Sequence, residues 1–374
     1  MHGSLVENYP EIFKKISSNK NEKIFVITGK NSFFKSGANH YFQFLLKNRK
    51  RIVKFYFKKK RYPEISELKN IKKLVEAFNP DLVLAIGGGA VIDYAKIVCS
   101  EYSSKNLTSK IKDQSLKLKK KFKLFVIPTT AGSGAEATSN AVIYLDKIKY
   151  SFESKNLMPE NFFLMPELIV KLNKNIKASS GFDAISQAIE SLISTRSTNK
   201  SIKFAKKSLN LSIKTFLNYY KNPTLNNSLL MAKAAHFSGK AINITKTTAP
   251  HAVSYPLTAH FNVSHGHAVS LTLNEFLKFN YERIGYSHSN FDLKKRYELI
   301  FSLTKTKNIY ELDKYLAYLK KKVKLEQNFL KLGINLEKKL NLILNGVNLL
   351  RLKNNPVKLD KFDLAKVFLD KKYD

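Results

Sequence analysis

The stretch Asp81–Val98, DLVLAIGGGAVIDYAKIV, restricts the fold more than any other part of the chain. Leu82–Ile86 is an unbroken apolar run, the pattern of a strand buried on both faces. It runs into Gly87, Gly88 and Gly89, and a helical pattern follows at once, with Ala90, Asp93 and Lys96 in its first turns. A strand that passes through glycine straight into a helix is a βα unit of a parallel sheet. The same junction suits an anion. Glycines let the backbone approach a pyrophosphate closely, and the free N–H groups of the helix start bind it. The motif is not GxGxxG, so its weight comes from its position at the junction.

The flanking segments continue the alternation. Residues 23–28 read as a first strand closed by Gly29, residues 37–47 as a helix and 51–57 as a second strand. Residues 65–78 have helical period, and Asn79-Pro80 stops it. Lys105–Lys121 is basic and polar, a loop or a surface helix. A strand over 123–127 then leads into Pro128-Thr129-Thr130-Ala131-Gly132-Ser133-Gly134. Small hydroxyl residues between glycines offer hydrogen bonds to a phosphate or ribose without blocking it. Alternation up to about residue 130 predicts a parallel sheet with its ligand at the carboxyl ends of the strands. From residue 176 strand signals fade, and helical patterns run over 181–193, 204–219, 229–244, 291–304, 309–321 and 336–350. The expected architecture is an α/β N-terminal dinucleotide-binding domain with a parallel sheet over 1–170, followed by an all-α C-terminal domain over 171–374. The run Lys320-Lys321-Lys322, with Lys324, reads as a solvated helix end.

A formal charge of +36 ordinarily points to nucleic acid or anionic surfaces. Here 58 of the 65 basic residues are lysine and seven are arginine, spread along the whole chain. Arginine clusters and aromatic–basic motifs are missing, so the lysines read as solvated surface, with no nucleic-acid partner. Such a surface is compatible with an anionic small substrate. No apolar run reaches the length of a membrane span, and the N-terminus MHGSLVENYPEIFKK lacks an apolar signal core. A cytoplasmic protein without a membrane role is the expectation. The single cysteine, Cys99, excludes a disulfide framework and a cysteine-built metal site.

Four of the eight histidines fall within Asn243–His267. His251 and His265 are fourteen apart, which on a straight helix is ~21 Å, too far to share one ion. Pro256 and the polar run after it allow the chain to bend. One helix could then carry His251 and the next begin near His265, with both imidazoles meeting at a point. Neutral imidazole is a common ligand for Zn or Fe(II). Asp183 and Gln187, four apart in GFDAISQAIESLI, share one helix face. His260 reads as structural.

In order and spacing, several segments resemble the iron-containing alcohol dehydrogenases, a family with the dehydroquinate-synthase-like fold. They are AIGGGAVIDYAK (85–96), PTTAGSGAEAT (128–138), GFDAISQAIES (181–191), PHAVSYPLTAHFNVSHGHA (250–268) and the late RLKNNPVKL (351–359). The resemblance implies a dinucleotide over the glycine turn, with Gly29, Lys30, Gly87, Gly88, Gly89, Ala90, Asp93, Thr129, Thr130, Ser133, Asn140 and Lys149 as its binding residues. It also implies a divalent metal, Fe(II) or Zn, in the helical domain, and a homodimer. Relatives hold the metal with one Asp and three His. The matching positions here are Asp183, Gln187, His251 and His265. Gln187 departs from the pattern, since its carbonyl oxygen is a weaker ligand than imidazole for these metals. Tyr255 stands where many relatives carry a further histidine. Ser264 replaces the usual proline before His-Gly, and Met165 the usual Asp before Pro-Glu.

NAD-preferring relatives often have Asp just after the first strand, where it repels a 2′-phosphate. Gly29-Lys30 stands there, so NADP(H) is expected over NAD(H). The segment GKAINITKTTAPHAVSYPLT (239–258) resembles the phosphonoacetaldehyde reductase branch. Lys246, with Thr247 or Thr248, is the candidate for holding an anionic substrate group by charge-assisted hydrogen bonds. Lys246, His267 and Tyr255 complete the catalytic candidates, the last two as proton relays. The expected reaction is metal-dependent, NAD(P)H-dependent reduction of phosphonoacetaldehyde to 2-hydroxyethylphosphonate. The alternatives are the same chemistry on an uncharged short aldehyde, or a non-redox carbocycle-forming lyase of the dehydroquinate synthase type.

Overall fold

The computed structural model describes residues 5–6, 9–18, 22–47, 51–102, 107–113 and 115–370. Part of the N-terminal segment read for a signal core therefore lies outside the described residues, as do Lys105, Asn106 and Gln114 of the basic stretch. The described part of that stretch holds a short helix, Leu107–Lys112, and a two-residue strand, Lys119–Lys120, paired antiparallel with Ser100–Glu101. The chain divides into two compact units. The first comprises the chain up to Thr130, Gly134–Leu172 and Thr224–Ala232; the second comprises Ala131–Ser133, Asn173–Pro223 and Lys233–Asp374.

In the first unit a six-stranded parallel sheet has the order Leu5–Val6, Asn161–Phe163, Lys123–Pro128, Leu82–Gly87, Lys23–Gly29, Ile52–Lys58. The central strands are continuous apolar runs because both faces are covered. Ile24–Ile27 and Leu82–Ile86 are completely buried. The chain moves outward from Lys23–Gly29 to Ile52–Lys58, then returns past its start to Leu82–Gly87. That reversal puts the topological switch point between Lys23–Gly29 and Leu82–Gly87, where open α/β sheets bind ligands at the carboxyl ends of strands. Thr28 registers with Ile86, and Gly87 with Pro128. Three strands thus deliver Gly29, the glycine turn and Thr129 to one edge.

Two local expectations fail in this unit. Residues 37–47 form two short helices, Ala38–Tyr41 and Phe44–Lys47, after a separate helix Lys30–Lys35. Gly37 sits in the left-handed region at φ 82 and breaks the path. A hairpin with no counterpart in the sequence reading, Asn140–Leu145 with Ile148–Glu153, turns through Asp146 and Lys147, both at positive φ. The turn matches the primed geometry of tight hairpins but lacks the usual glycine, so its signal in sequence is weak.

In the second unit every described element beyond residue 173 is helical. Lys174–Ile193 starts at Asn173, whose side chain accepts from the Ile176 N–H, and sixteen of its twenty residues are buried. The expected helix over 336–350 is two, Leu336–Asn345 and Leu349–Leu352, separated at Gly346. The lysine run is not uniformly solvated. Lys320 is buried and its ammonium donates to the Ser270 carbonyl, while Lys321 and Lys322 are exposed. Among the described residues, no helix is long and apolar enough to cross a membrane.

Candidate functional site

His251 and His265 sit on separate helices, Ala249–Phe261 and His265–Ser270. The break is not at Pro256, which lies inside the first helix. It comes at Asn262, whose left-handed φ of 61 ends that helix. Pro256 is tolerated because the Ala252 carbonyl that its missing N–H leaves free accepts from the Asn348 N–H at 3.3 Å.

The second helix comes back tightly against Lys174–Ile193. A Cβ on Gly266 would lie 2.0 Å from the Ser179 carbonyl oxygen and 2.7 Å from the Asp183 Cβ. Only glycine fits there, and this close approach sets His265 beside Asp183. Ser179 reinforces it by accepting from the His267 N–H at 3.1 Å and from the Ser264 hydroxyl at 2.8 Å.

Asp183, His251 and His265 each bring one ligand atom to a cluster in which all lie within 4.8 Å of one another. The rings of His251 and His265 meet edge to face at 5.2 Å, and Tyr255 stacks on His265 at 5.9 Å. His251 Nε2 is 3.2 Å from Asp183 Oδ1, and its Nδ1 is 2.5 Å from Glu190 Oε1. Burial alone would pull the imidazole pKa down. Glu190 and Asp183 outweigh it and push it up to about 10. The donor set, two imidazoles and one carboxylate, is the one that leaves open positions on a non-haem Fe(II) and also suits Zn. On this chemistry the residues fit a divalent cation.

Gln187 is buried on the same helix face, and its carbonyl oxygen accepts from the Ser238 hydroxyl at 2.9 Å. Lys246 follows the last residue of the Leu225–Thr245 helix and adopts a left-handed φ of 58. It is buried, and its ammonium donates to the Asn243 carbonyl in the last helical turn at 3.1 Å. Thr248 is engaged within the protein. Its N–H and hydroxyl both donate to Glu190 Oε2, at 2.7 and 2.9 Å. The Thr247 carbonyl accepts from Asn354. His267 Nε2 donates to the Glu326 carbonyl, and burial pulls its pKa down.

The cofactor candidates of the first unit gather at the carboxyl edge of the sheet. Gly88 precedes the helix Gly89–Val98, which begins with Gly89 and Ala90. A Cβ on Gly87 would meet the Val91 side chain at 2.6 Å, and one on Gly88 would touch Thr130 at 3.4 Å. The Thr129 N–H donates to the Gly87 carbonyl at 3.1 Å, and its buried hydroxyl has no hydrogen-bond partner among the described residues. Gly29 precedes the helix Lys30–Lys35, and Lys30 is exposed. Asp93 faces the Asn140–Glu153 hairpin. Burial raises its carboxyl to about 6 against the opposing pull of Lys96 and Lys149 and a hydrogen bond from the Val142 backbone. Ser133, part-exposed, belongs to the segment grouped with the second unit.

Two residues of evident importance were not singled out by the sequence reading. Lys96 is fully buried, with its ammonium 2.6–2.9 Å from the Ala135, Thr138 and Asn140 carbonyls and the Thr138 hydroxyl. It shapes the loop that leads from Thr129 to Asn140. Glu190 lies seven residues after Asp183, two helical turns along the same face, and that spacing was available to be read.

Comparison with known proteins agrees with this architecture. Residues 4–166 match the family described as iron-containing alcohol dehydrogenase, and residues 177–371 match its C-terminal counterpart. A phosphonoacetaldehyde reductase from Streptomyces viridochromogenes is 31% identical over 221 residues, 56% of each chain. The chain thus spans just over half the length of that curated relative. A 4-hydroxybutyrate dehydrogenase from Clostridium kluyveri is 27% identical over 289 residues, 75% of this chain and 76% of the relative. The crystal structure of sulfoacetaldehyde reductase from Bifidobacterium kashiwanohense in complex with NAD+ shares the fold, with a TM-score of 0.84 and 22% identity over 100% of this chain and 99% of that one. The chain belongs to the iron-containing alcohol dehydrogenase family.

Proposed function

We propose that this protein reduces a short anionic aldehyde, phosphonoacetaldehyde, to the alcohol with NADPH, using a divalent metal held by Asp183, His251 and His265. The convergence of those three side chains carries the reading. A Zn or Fe(II) ion held there would supply Lewis-acid polarisation of the carbonyl oxygen, and a bound nicotinamide would supply the hydride. The chain's own groups do the rest. The helix start at Gly88–Gly89 offers backbone N–H groups to the pyrophosphate. Thr129 has a buried hydroxyl left for the cofactor. Lys30, exposed just after the strand Lys23–Gly29, would pair with a 2′-phosphate. A proton must reach the carbonyl oxygen as the hydride reaches carbon. Tyr255, stacked on His265, is the proposed relay, because the Nε2 proton of His267 is committed to Glu326.

The aldehyde class follows from the phosphonoacetaldehyde reductase relative and from the lysine at the start of the Lys246–Thr248 turn. One observation favours an uncharged substrate instead: the Lys246 ammonium donates to a helix-end carbonyl. NADPH oxidation with phosphonoacetaldehyde, propanal and lactaldehyde, before and after chelation, separates the two. The reading expects preference for the phosphonate, loss on chelation, and a KM for it raised ~10-fold or more in Lys246→Gln, the scale of one charge-assisted hydrogen bond. Equal rates on the neutral aldehydes would overturn the phosphonate assignment.

A further inference from the structure

We propose that Glu190 is a positioning residue: one of its oxygens holds His251 in the tautomer that presents Nε2 to the metal, and the other ties the same ligand to the turn that carries Lys246. This rests on the reading of Asp183, His251 and His265 as the metal site.

Glu190 is completely buried. A buried carboxylate is costly unless it is hydrogen-bonded, and among the described residues its partners all lie in four consecutive residues, Thr248 to His251. An ionised carboxylate only accepts. Oε1, 2.5 Å from His251 Nδ1, therefore keeps a proton on Nδ1. In the neutral ring that leaves a lone pair on Nε2, 3.2 Å from Asp183 Oδ1, which is itself an acceptor. Two acceptors facing each other need a cation between them. His251 Nε2 and Asp183 Oδ1 are thus disposed to hold a divalent metal together. Glu190 thus decides which ring nitrogen is the ligand and raises its basicity, and the loss of such a partner typically weakens metal binding ~10–100-fold.

The second oxygen extends the effect. Thr248 is the residue before the His251 helix, and its N–H and hydroxyl both donate to Oε2. Three residues back, Thr245 is held by the same long helix: its hydroxyl lies 3.0 Å from the Ser191 hydroxyl, and its carbonyl accepts from Ser194 at 2.9 Å. The turn Thr245–Thr248, with Lys246 in its left-handed conformation, is therefore clamped at both ends by Glu190, Ser191 and Ser194. The residues between Glu190 and Ser194 position the metal ligand and the turn as one piece.

The test uses the full chain stripped of metal and titrated with Co(II), followed by visible absorption and by competition with a chelator. Wild type, Glu190→Gln, Thr248→Val and Asp183→Asn are compared, and thermal unfolding of each metal-free variant reports folding. Glu190→Gln keeps the size but cannot accept at both positions. It is expected to bind Co(II) ~10–100-fold more weakly with an altered ligand-field spectrum, at a metal-free melting point near that of wild type. Thr248→Val leaves the His251 contact intact and is expected to keep the wild-type spectrum. If Glu190→Gln fails to fold, NMR of histidine-labelled wild type loaded with Zn decides: His251 should be protonated at Nδ1 and ligated through Nε2. A Glu190→Gln variant with wild-type affinity and spectrum, or ligation through Nδ1, overturns the proposal. Wild type that takes up no Co(II) at all overturns the metal reading, and this proposal with it.

Discussion

The glycine turn of the first unit and the histidine knot of the second are the two candidate ligand sites, built in opposite ways. The turn is made by neighbours: Gly87, Gly88 and Gly89 follow one another, and what they offer is backbone N–H groups at a helix start. The knot is made by strangers. His251 meets Asp183 across 68 residues and Glu190 across 61, and what they offer is side chains. A local site depends on the absence of side chains. A distributed site depends on how closely helices approach, and so on residues such as Gly266 that touch no ligand.

The largest expected effect is at the knot. Asp183→Ala should remove metal binding and lower aldehyde reduction by ~10³-fold or more, since Lewis-acid stabilisation is worth several kcal/mol. Metal content measured beside kcat tells whether the ligand or the fold was lost. Gly266→Ala comes next. Its Cβ would stand 2.0 Å from backbone, which cannot swing away, so a loss of ~3 kcal/mol in denaturant unfolding is expected, together with weaker metal binding. Gly87→Ala should cost less, ~1–2 kcal/mol, because the three atoms nearest its Cβ all belong to the Val91 side chain rather than to backbone. The double change Gly87→Ala, Val91→Ala should recover part of that loss. If no neighbouring truncation rescues Gly266→Ala while Val91→Ala rescues Gly87→Ala, the contrast between the two constructions stands.

A smaller effect concerns pH. The Asp93 carboxyl is raised from its ordinary 3.8 to about 6, chiefly by burial. A group raised in the folded state favours folding while protonated. Its contribution is complete below about pH 4 and lost as the pH climbs through about 6. Urea midpoints between pH 4 and 7 should therefore fall with pH more steeply in wild type than in Asp93→Asn. Equal slopes would place the burial of Asp93 in doubt.

The alternation of strand, glycine and helix was legible in the first 130 residues because each strand there is buried on both faces and reads as one apolar run. The hairpin at 140–153 escaped because Asp146-Lys147 turns without glycine. In the helical unit the period revealed the long helices. The break in 336–350 was hidden, since Gly346 lies among residues of good helical pattern. The sequence reading brought His251 and His265 together by a bend. Of the two features that allow it, Pro256 stays inside the helix and the polar run after it makes the bend, at Asn262, a left-handed asparagine that is a quieter marker than a proline. Glu190 was passed over because a glutamate in a helix is ordinarily solvated; only the fold reveals that it is buried against Thr248 and His251. Lys320 was misread for the same reason in reverse, as a member of a charge run rather than a single buried lysine on Ser270.

The central claim is that Asp183, His251 and His265 hold the metal on which aldehyde reduction depends. Anomalous diffraction from crystals of the active, metal-loaded enzyme, recorded at the iron and zinc edges, tests it most directly. A single strong peak is expected within bonding distance of Asp183, His251 Nε2 and His265. An active enzyme with no peak at that position, or with its only peak elsewhere, would contradict it.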